Sequence, residues 1–189
     1  MTDPIARWKA EHANFSRLLD LMDAQIALFH EGERPDYELM LDVMHYMTHY
    51  PDQYHHPHED LACQVLLERE AAYREAVEDL AGQHARIAAS GTRLVQDLNA
   101  IVNGALIARA AVETDSAAYT RTLRQHMQQE HELIFPALDR VLDTADWASL
   151  DTRIDLAADP IFGGSVDKRY TALQQRIAEQ VGCDCTPVT

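Results

Sequence analysis

Two segments of this chain repeat one pattern, His55-x-x-x-Glu59 and His126-x-x-x-Glu130. An interval of four residues sets an imidazole and a carboxylate one above the other on the same face of a helix. Two more histidines, His12 and His84, stand inside otherwise apolar stripes. A single histidine on such a stripe is ordinarily a satisfied core or edge residue. Four stripes that each carry one, two of them with a carboxylate one turn on, form the dimetal pattern of helical bundles, in which carboxylates bridge and imidazoles cap each ion. An inward-facing Glu59 or Glu130 would cost roughly several kcal/mol in an apolar core without a cation. Imidazole and carboxylate ligation without cysteine suits Fe, Mn or Zn. Two carboxylates able to bridge favour a pair of ions, with iron the usual occupant.

The elements that must position these residues are long amphipathic helices. Asp3-Pro4 is a helix start, with Asp as N-cap and Pro in the first turn. Ile5, Trp8, His12, Phe15, Leu19, Met22 and Ile26 then recur at intervals of three and four. Gly32 and Pro35 turn the chain. A second helix is predicted over residues 36–67, with Leu41, Met44, His55, Glu59 and Leu66 facing inward. Pro51 and Pro57 each remove a backbone donor from it, which predicts a kink or π-bulge near the histidines. A third helix begins near Ala71, carries Leu80, His84 and Ile87 on one side, and closes at Gly104. Gly91 lies in its inner stripe, either as a close contact or as a tolerated break. Residues 105–114 are ambiguous. Asp115-Ser116 reads as the N-cap of a fourth helix running to Leu142 and bent by Pro136. Trp147, Leu150 and Ile154 suggest a brief helix, residues 159–164 a loop, and residues 167–181 a last helical segment.

Four such helices with short connections predict an all-α, antiparallel up-down four-helix bundle over residues 1–142. Residues 143–189 follow as a short helical extension that packs on the bundle and ends in a mobile tail. Depth along the bundle is also set. His12 lies about 20 residues before the Gly32 turn and His55 about 23 after it, so at about 1.5 Å per residue both fall roughly 30–35 Å from that turn. They are expected to meet on facing helices.

Composition fits this reading. The 189 residues carry a net charge of −15, which speaks against nucleic acid or an anionic membrane as the main partner. No apolar run approaches a membrane span. The opening Met1-Thr2-Asp3-Pro4 lacks the basic and apolar runs of a leader, and three cysteines form no disulfide framework. The expected location is the cytoplasm, as a monomer or homodimer. Cys63 reads as a small packed thiol; Cys183 and Cys185 fall in the tail. His45 and His49 read as a solvated pair, and Tyr46, Tyr50, Tyr54 and Tyr119 as packing residues able to bond oxygen at a metal or carry a radical.

The ordered set resembles the hemerythrin-like, HHE cation-binding domain family. The marks are His12 after Glu11, His55-x-x-x-Glu59 within His-His-Pro-His-Glu-Asp, His84 after Gln83, and His126-x-x-x-Glu130 followed by Leu133-Ile134-Phe135-Pro136. The resemblance covers about residues 4–142 and implies a non-haem diiron centre with oxo, hydroxo or carboxylate bridges, reactive toward O₂, NO or peroxide. Two departures stand out. Oxygen carriers of this family have two histidines one turn apart on the third helix, where Leu80 precedes His84 here. They also place an aspartate five residues after the fourth-helix histidine, where His131 stands here and Glu130 is the better bridge. His56 is the substitute nitrogen ligand that the resemblance suggests, its offset of about 100° from His55 reduced by the Pro57 distortion. His58 is read as a flanking residue. The missing nitrogen leaves an open coordination position, which favours redox turnover or sensing over reversible O₂ carriage. Iron storage or delivery for iron–sulfur repair is the alternative role.

Overall fold

In the computed structural model, the described residues are 3–153 and 158–181, and they are helical almost throughout. The first pillar is α1 (Pro4–His30), whose Asp3 side chain accepts from Ile5 N–H at 3.0 Å as the sequence predicts. The second pillar is α2 (Tyr37–Met47), a π-helical turn at Pro51–His55, and α3 (His56–Arg69). After a 3₁₀ turn at Ala71–Tyr73 comes the third pillar, α4 (Arg74–Val102). The fourth is α5 (Arg109–Gln129), a second π-helical turn at Glu130–Ile134, and α6 (Phe135–Val141). Around the bundle, α1 packs on α2 and α5, and α4 packs on the same two helices.

Two expectations about helix ends change. The fourth pillar begins at Arg109, six residues before the predicted Asp115-Ser116 cap, and Ser116 is fully buried within α5. Tertiary contacts override the capping signal. Val112 packs into the core, and Arg109 donates to the carbonyls of Leu28 and Phe29 while its guanidinium lies over the Phe29 ring. It thereby adds a second donor to carbonyls at the end of α1 that also accept from Glu33 and Gly32 N–H. The predicted distortion of the second helix is present, but it separates two helices instead of bending one.

Gly91 is a close contact. A Cβ there would stand 2.8 Å from Thr48 Cγ2 and 3.1 Å from Tyr119 Cε2, so the residue lets α4 approach both neighbours. Gly104 closes α4 with φ +90°.

After Leu142, α7 (Thr144–Arg153) sets Trp147 edge-on to Trp8, and Trp8 stacks on Phe135. The loop from Asp159 and α8 (Thr171–Val181) return along α1 and α2, burying Ile161, Tyr170, Leu173 and Ile177. Ile154, Cys183 and Cys185 lie outside the described residues. Among the described residues no helix is long and apolar enough to cross a membrane.

The core is split in two. One apolar cluster holds Phe15, Met22, Met44, Ile87, Leu94 and Leu123; the other holds Ile5, Trp8, Leu66, Leu80, Ile134 and Phe135. Between them lies a polar layer.

Candidate metal centre

That layer is built at the two π-helical turns. Pro57 and Pro136 each stand two residues after the last residue of such a turn. A proline has no N–H for the carbonyl four residues back, and its ring presses on that carbonyl in a regular helix. The wider turn relieves the clash: His56 N–H reaches Pro51 O, and Phe135 N–H reaches Glu130 O. One consequence is that neighbours in sequence, His55 and His56, both face the interior. At the other turn Glu130 points inward while His131 goes to the surface side.

The structure brings together all seven residues singled out from the sequence. His12, His55, His56, Glu59, His84, His126 and Glu130 are buried, and both glutamates have no exposed surface. Their donor atoms form three overlapping groups: His12, His55 and Glu59; Glu59, His84, His126 and Glu130; His56, His84 and His126. His12 and His55 meet, as the depth argument required, with their Nε2 atoms 2.8 Å apart. Glu59 spans the layer, Oε1 lying 3.2 Å from His55 Nε2 and Oε2 3.8 Å from His84 Nε2. Glu130 does the same, Oε1 lying 3.7 Å from His84 Nε2 and Oε2 3.3 Å and 3.4 Å from the Nε2 atoms of His126 and His12. His56 stacks on His84 with ring centroids 4.3 Å apart.

Each imidazole has an outer neighbour at Nδ1, hydrogen-bonded to it in all but His56. His55 Nδ1–H donates to Glu11 at 2.6 Å, His84 Nδ1–H to Asp60 at 2.9 Å, and His126 Nδ1–H to Gln83 at 3.1 Å. His56 Nδ1 lies 3.3 Å from Asp52 Oδ1, and His12 Nδ1 lies 2.9 Å from His131 Nε2. Fixing the proton on Nδ1 leaves Nε2 with its lone pair turned inward, the arrangement that orients metal-binding histidines. Sequence reasoning missed these five partners as partners. A signal was present in three of them: Glu11, Gln83 and Asp60 each sit beside an inward residue, but serve the histidine of a different helix.

Electrostatics shows the strain in this layer. Burial works against charge on His55, yet the Glu59 and Glu11 carboxylates outweigh it and push its pKa up to about 10. Burial and the nearby Glu59 raise Glu130. Burial, then the neighbouring imidazoles, holds His12, His56 and His126 well below the ordinary histidine value. Both oxygens of Glu59 and Glu130, with His84 Nε2 and His126 Nε2, have no hydrogen-bond partner. Leaving that many polar atoms unpaired is costly, at about 1–3 kcal/mol for each buried group and more for a charged one.

A cation resolves it. Donors about 2.1 Å from a common ion stand about 3 Å apart when at right angles, close to the separations seen here. The set, five nitrogens and two carboxylates without sulfur, is that of a hard or borderline metal.

The remaining candidates lie outside these groups. His58 is buried without joining them, burial depressing its pKa to about 4. His45 is half-buried and His49 exposed. Cys63 is a buried free thiol raised by burial and by Glu59. A surface cavity of about 440 Å³ reaches His12 and is lined also by Lys9, Ser16, Met127 and His131. Another, about 390 Å³ between α4 and α5, touches none of the seven.

No curated protein and no solved structure matches the chain. The family model for the hemerythrin HHE cation-binding domain matches residues 3–138, most of the chain and every residue of the layer. A helical bundle with a His/Glu layer made for cations, over that length, makes the chain a member of the hemerythrin HHE cation-binding domain family.

Proposed function

We propose that the seven side chains hold two iron ions and that the centre binds or reacts with O₂, NO or peroxide. His12 and His55 serve one ion, and His56, His84 and His126 the other, with Glu59 and Glu130 between them. The observation that carries this reading is the common arrangement of the layer: the five imidazoles turn Nδ1 toward outer residues, and the unpartnered carboxylates of Glu59 and Glu130 face the Nε2 atoms of His12, His55, His84 and His126. An iron pair supplies redox and Lewis-acid chemistry there; Mn or Zn would suit the same donors.

The nitrogen count is unequal, two against three. An open position on the His12–His55 side follows, next to the cavity beside His131. Such a position favours small-ligand chemistry over a closed structural site. It also favours that chemistry over iron storage, whose cargo ions need no vacant position.

The test is optical. Iron-loaded, reduced protein is mixed anaerobically with O₂, NO or peroxide in turn. A new charge-transfer absorption with at least one of them is expected. A spectrum unchanged by all three overturns the reading, and iron that leaves within minutes to a weak chelator would point to iron delivery instead.

A further inference from the structure

Glu11 does more than hold His55. Its second oxygen, Oε1, accepts the Tyr50 O–H at 3.2 Å, while Oε2 accepts His55 Nδ1–H at 2.6 Å. Tyr50 is buried, and its ring lies between two others: Tyr46 at 5.9 Å and Tyr54 at 5.8 Å between centroids. The three tyrosines stand four residues apart along one stretch of chain. Tyr46 is wholly buried and donates to Asp159 Oδ2 at 2.8 Å, while Tyr54 is half-buried. A short path therefore runs from His55 through Glu11 and Tyr50 to Tyr54 at the protein's edge, with Tyr46 as an inner branch.

Packing alone does not call for this arrangement, since phenylalanine would fill the same space without hydroxyls to satisfy. A phenol gives up an electron readily only where a base takes its proton at the same moment. Tyr50 and Tyr46 both have that base, a carboxylate at hydrogen-bond distance. Ring-to-ring spacing near van der Waals contact lets an electron pass between them.

We propose that Tyr46, Tyr50 and Tyr54 form an electron-donating chain through which an external one-electron donor, a phenol or an ascorbate-type reductant, reduces hydrogen peroxide at the metal centre. The proposal rests on the diiron reading above. The overall step balances as H₂O₂ + 2 AH → 2 H₂O + 2 A•. The O–O bond breaks, two donor molecules each give one hydrogen atom, and two O–H bonds form. In transit the chain is a neutral phenoxyl radical. The protons of Tyr46 and Tyr50 stay within their hydrogen bonds to Asp159 and Glu11 and return when the electron is replaced from Tyr54 by way of Tyr50.

The experiment is freeze-quench electron paramagnetic resonance of the iron-loaded full chain after hydrogen peroxide, with optical absorption recorded in parallel. Wild-type protein is expected to show a phenoxyl radical that ring-deuterated tyrosine reshapes and that added hydroquinone removes. Tyr46→Phe and Tyr50→Phe together should lower its yield tenfold or more, while the metal absorption still responds to peroxide at the wild-type rate. That unchanged metal response, with circular dichroism, separates an electron-transfer role from a folding defect. A metal absorption that responds with no phenoxyl signal overturns the chain and leaves the diiron reading standing. So does a signal that persists undiminished in the double variant. A metal absorption unmoved by peroxide overturns both.

Discussion

His56 stacks on His84 with ring centroids 4.3 Å apart and planes 16° apart, while Leu80, one turn before His84, is wholly buried in the apolar cluster below. Where Leu80 puts no imidazole into the layer from the third pillar, His56 enters it from the second, brought inward at the π-helical turn ahead of Pro57. His56→Leu is expected to lower bound metal from two ions per chain toward one, read by elemental analysis. Leu80→His in the same variant should restore the second ion, because an i, i+4 histidine on α4 faces the same layer. Failure of the rescue would show that His56 is irreplaceable for another reason.

Glu130 gives opposite signs with and without metal. Glu130 has its pKa raised in the fold, first by burial and then by Glu59. An acid raised in this way adds no penalty below its unfolded value, about 4.3, and a growing one as pH climbs through the folded value. Metal-free Glu130→Gln should therefore match wild type near pH 4 and exceed it by about 1–3 kcal/mol in alkaline solution. Metal-loaded, the same variant loses a bridge and should bind metal more weakly. Urea denaturation with and without metal checks both signs.

Metal uptake should be strongly pH-dependent. His55, held charged up to about 10, and Glu130, raised by burial and Glu59, must both lose protons before they can bind a cation. His12, His56 and His126, held neutral by burial and neighbouring imidazoles, contribute no protons at neutral pH. Binding near pH 7 is expected to release protons, with apparent affinity rising about tenfold per pH unit for each one released and levelling above about pH 10. Calorimetry in two buffers of different ionisation enthalpy counts them. His55 also acts on the metal-free fold. A histidine raised by its partners lends stability that is complete below the unfolded value, about 6.5, and lost as pH rises toward the folded one.

The outer partners should matter without touching metal. Glu11→Gln and Asp60→Asn remove the carboxylates behind His55 and His84. Each is expected to weaken metal binding by about 10- to 100-fold while leaving the helix content unchanged. A competition titration with Zn measures this, and no change would mean that packing alone orients the rings.

Much of this was legible in the sequence, for reasons tied to particular residues. Helical period put His12, His55, His84 and His126 on inner faces, and equal distance from the Gly32 turn put His12 opposite His55. Prolines announced the distortion that admits His56. What stayed hidden depends on contacts between distant segments. Asp115-Ser116 looked like a helix start because capping is a local signal, whereas Arg109 bonding to the end of α1 and Val112 packing into the core are tertiary. In the sequence Glu11 and Gln83 stand only as the residues before His12 and His84. Only the assembled bundle aims them at His55 and His126 on neighbouring pillars.

The most direct test of the central claim is metal content and local structure of the full chain, purified without added metal after iron-replete growth. The account predicts two iron ions per chain, with X-ray absorption showing nitrogen and oxygen neighbours and a second iron nearby. Fewer than one metal per chain, or sulfur in the first coordination sphere, would contradict it.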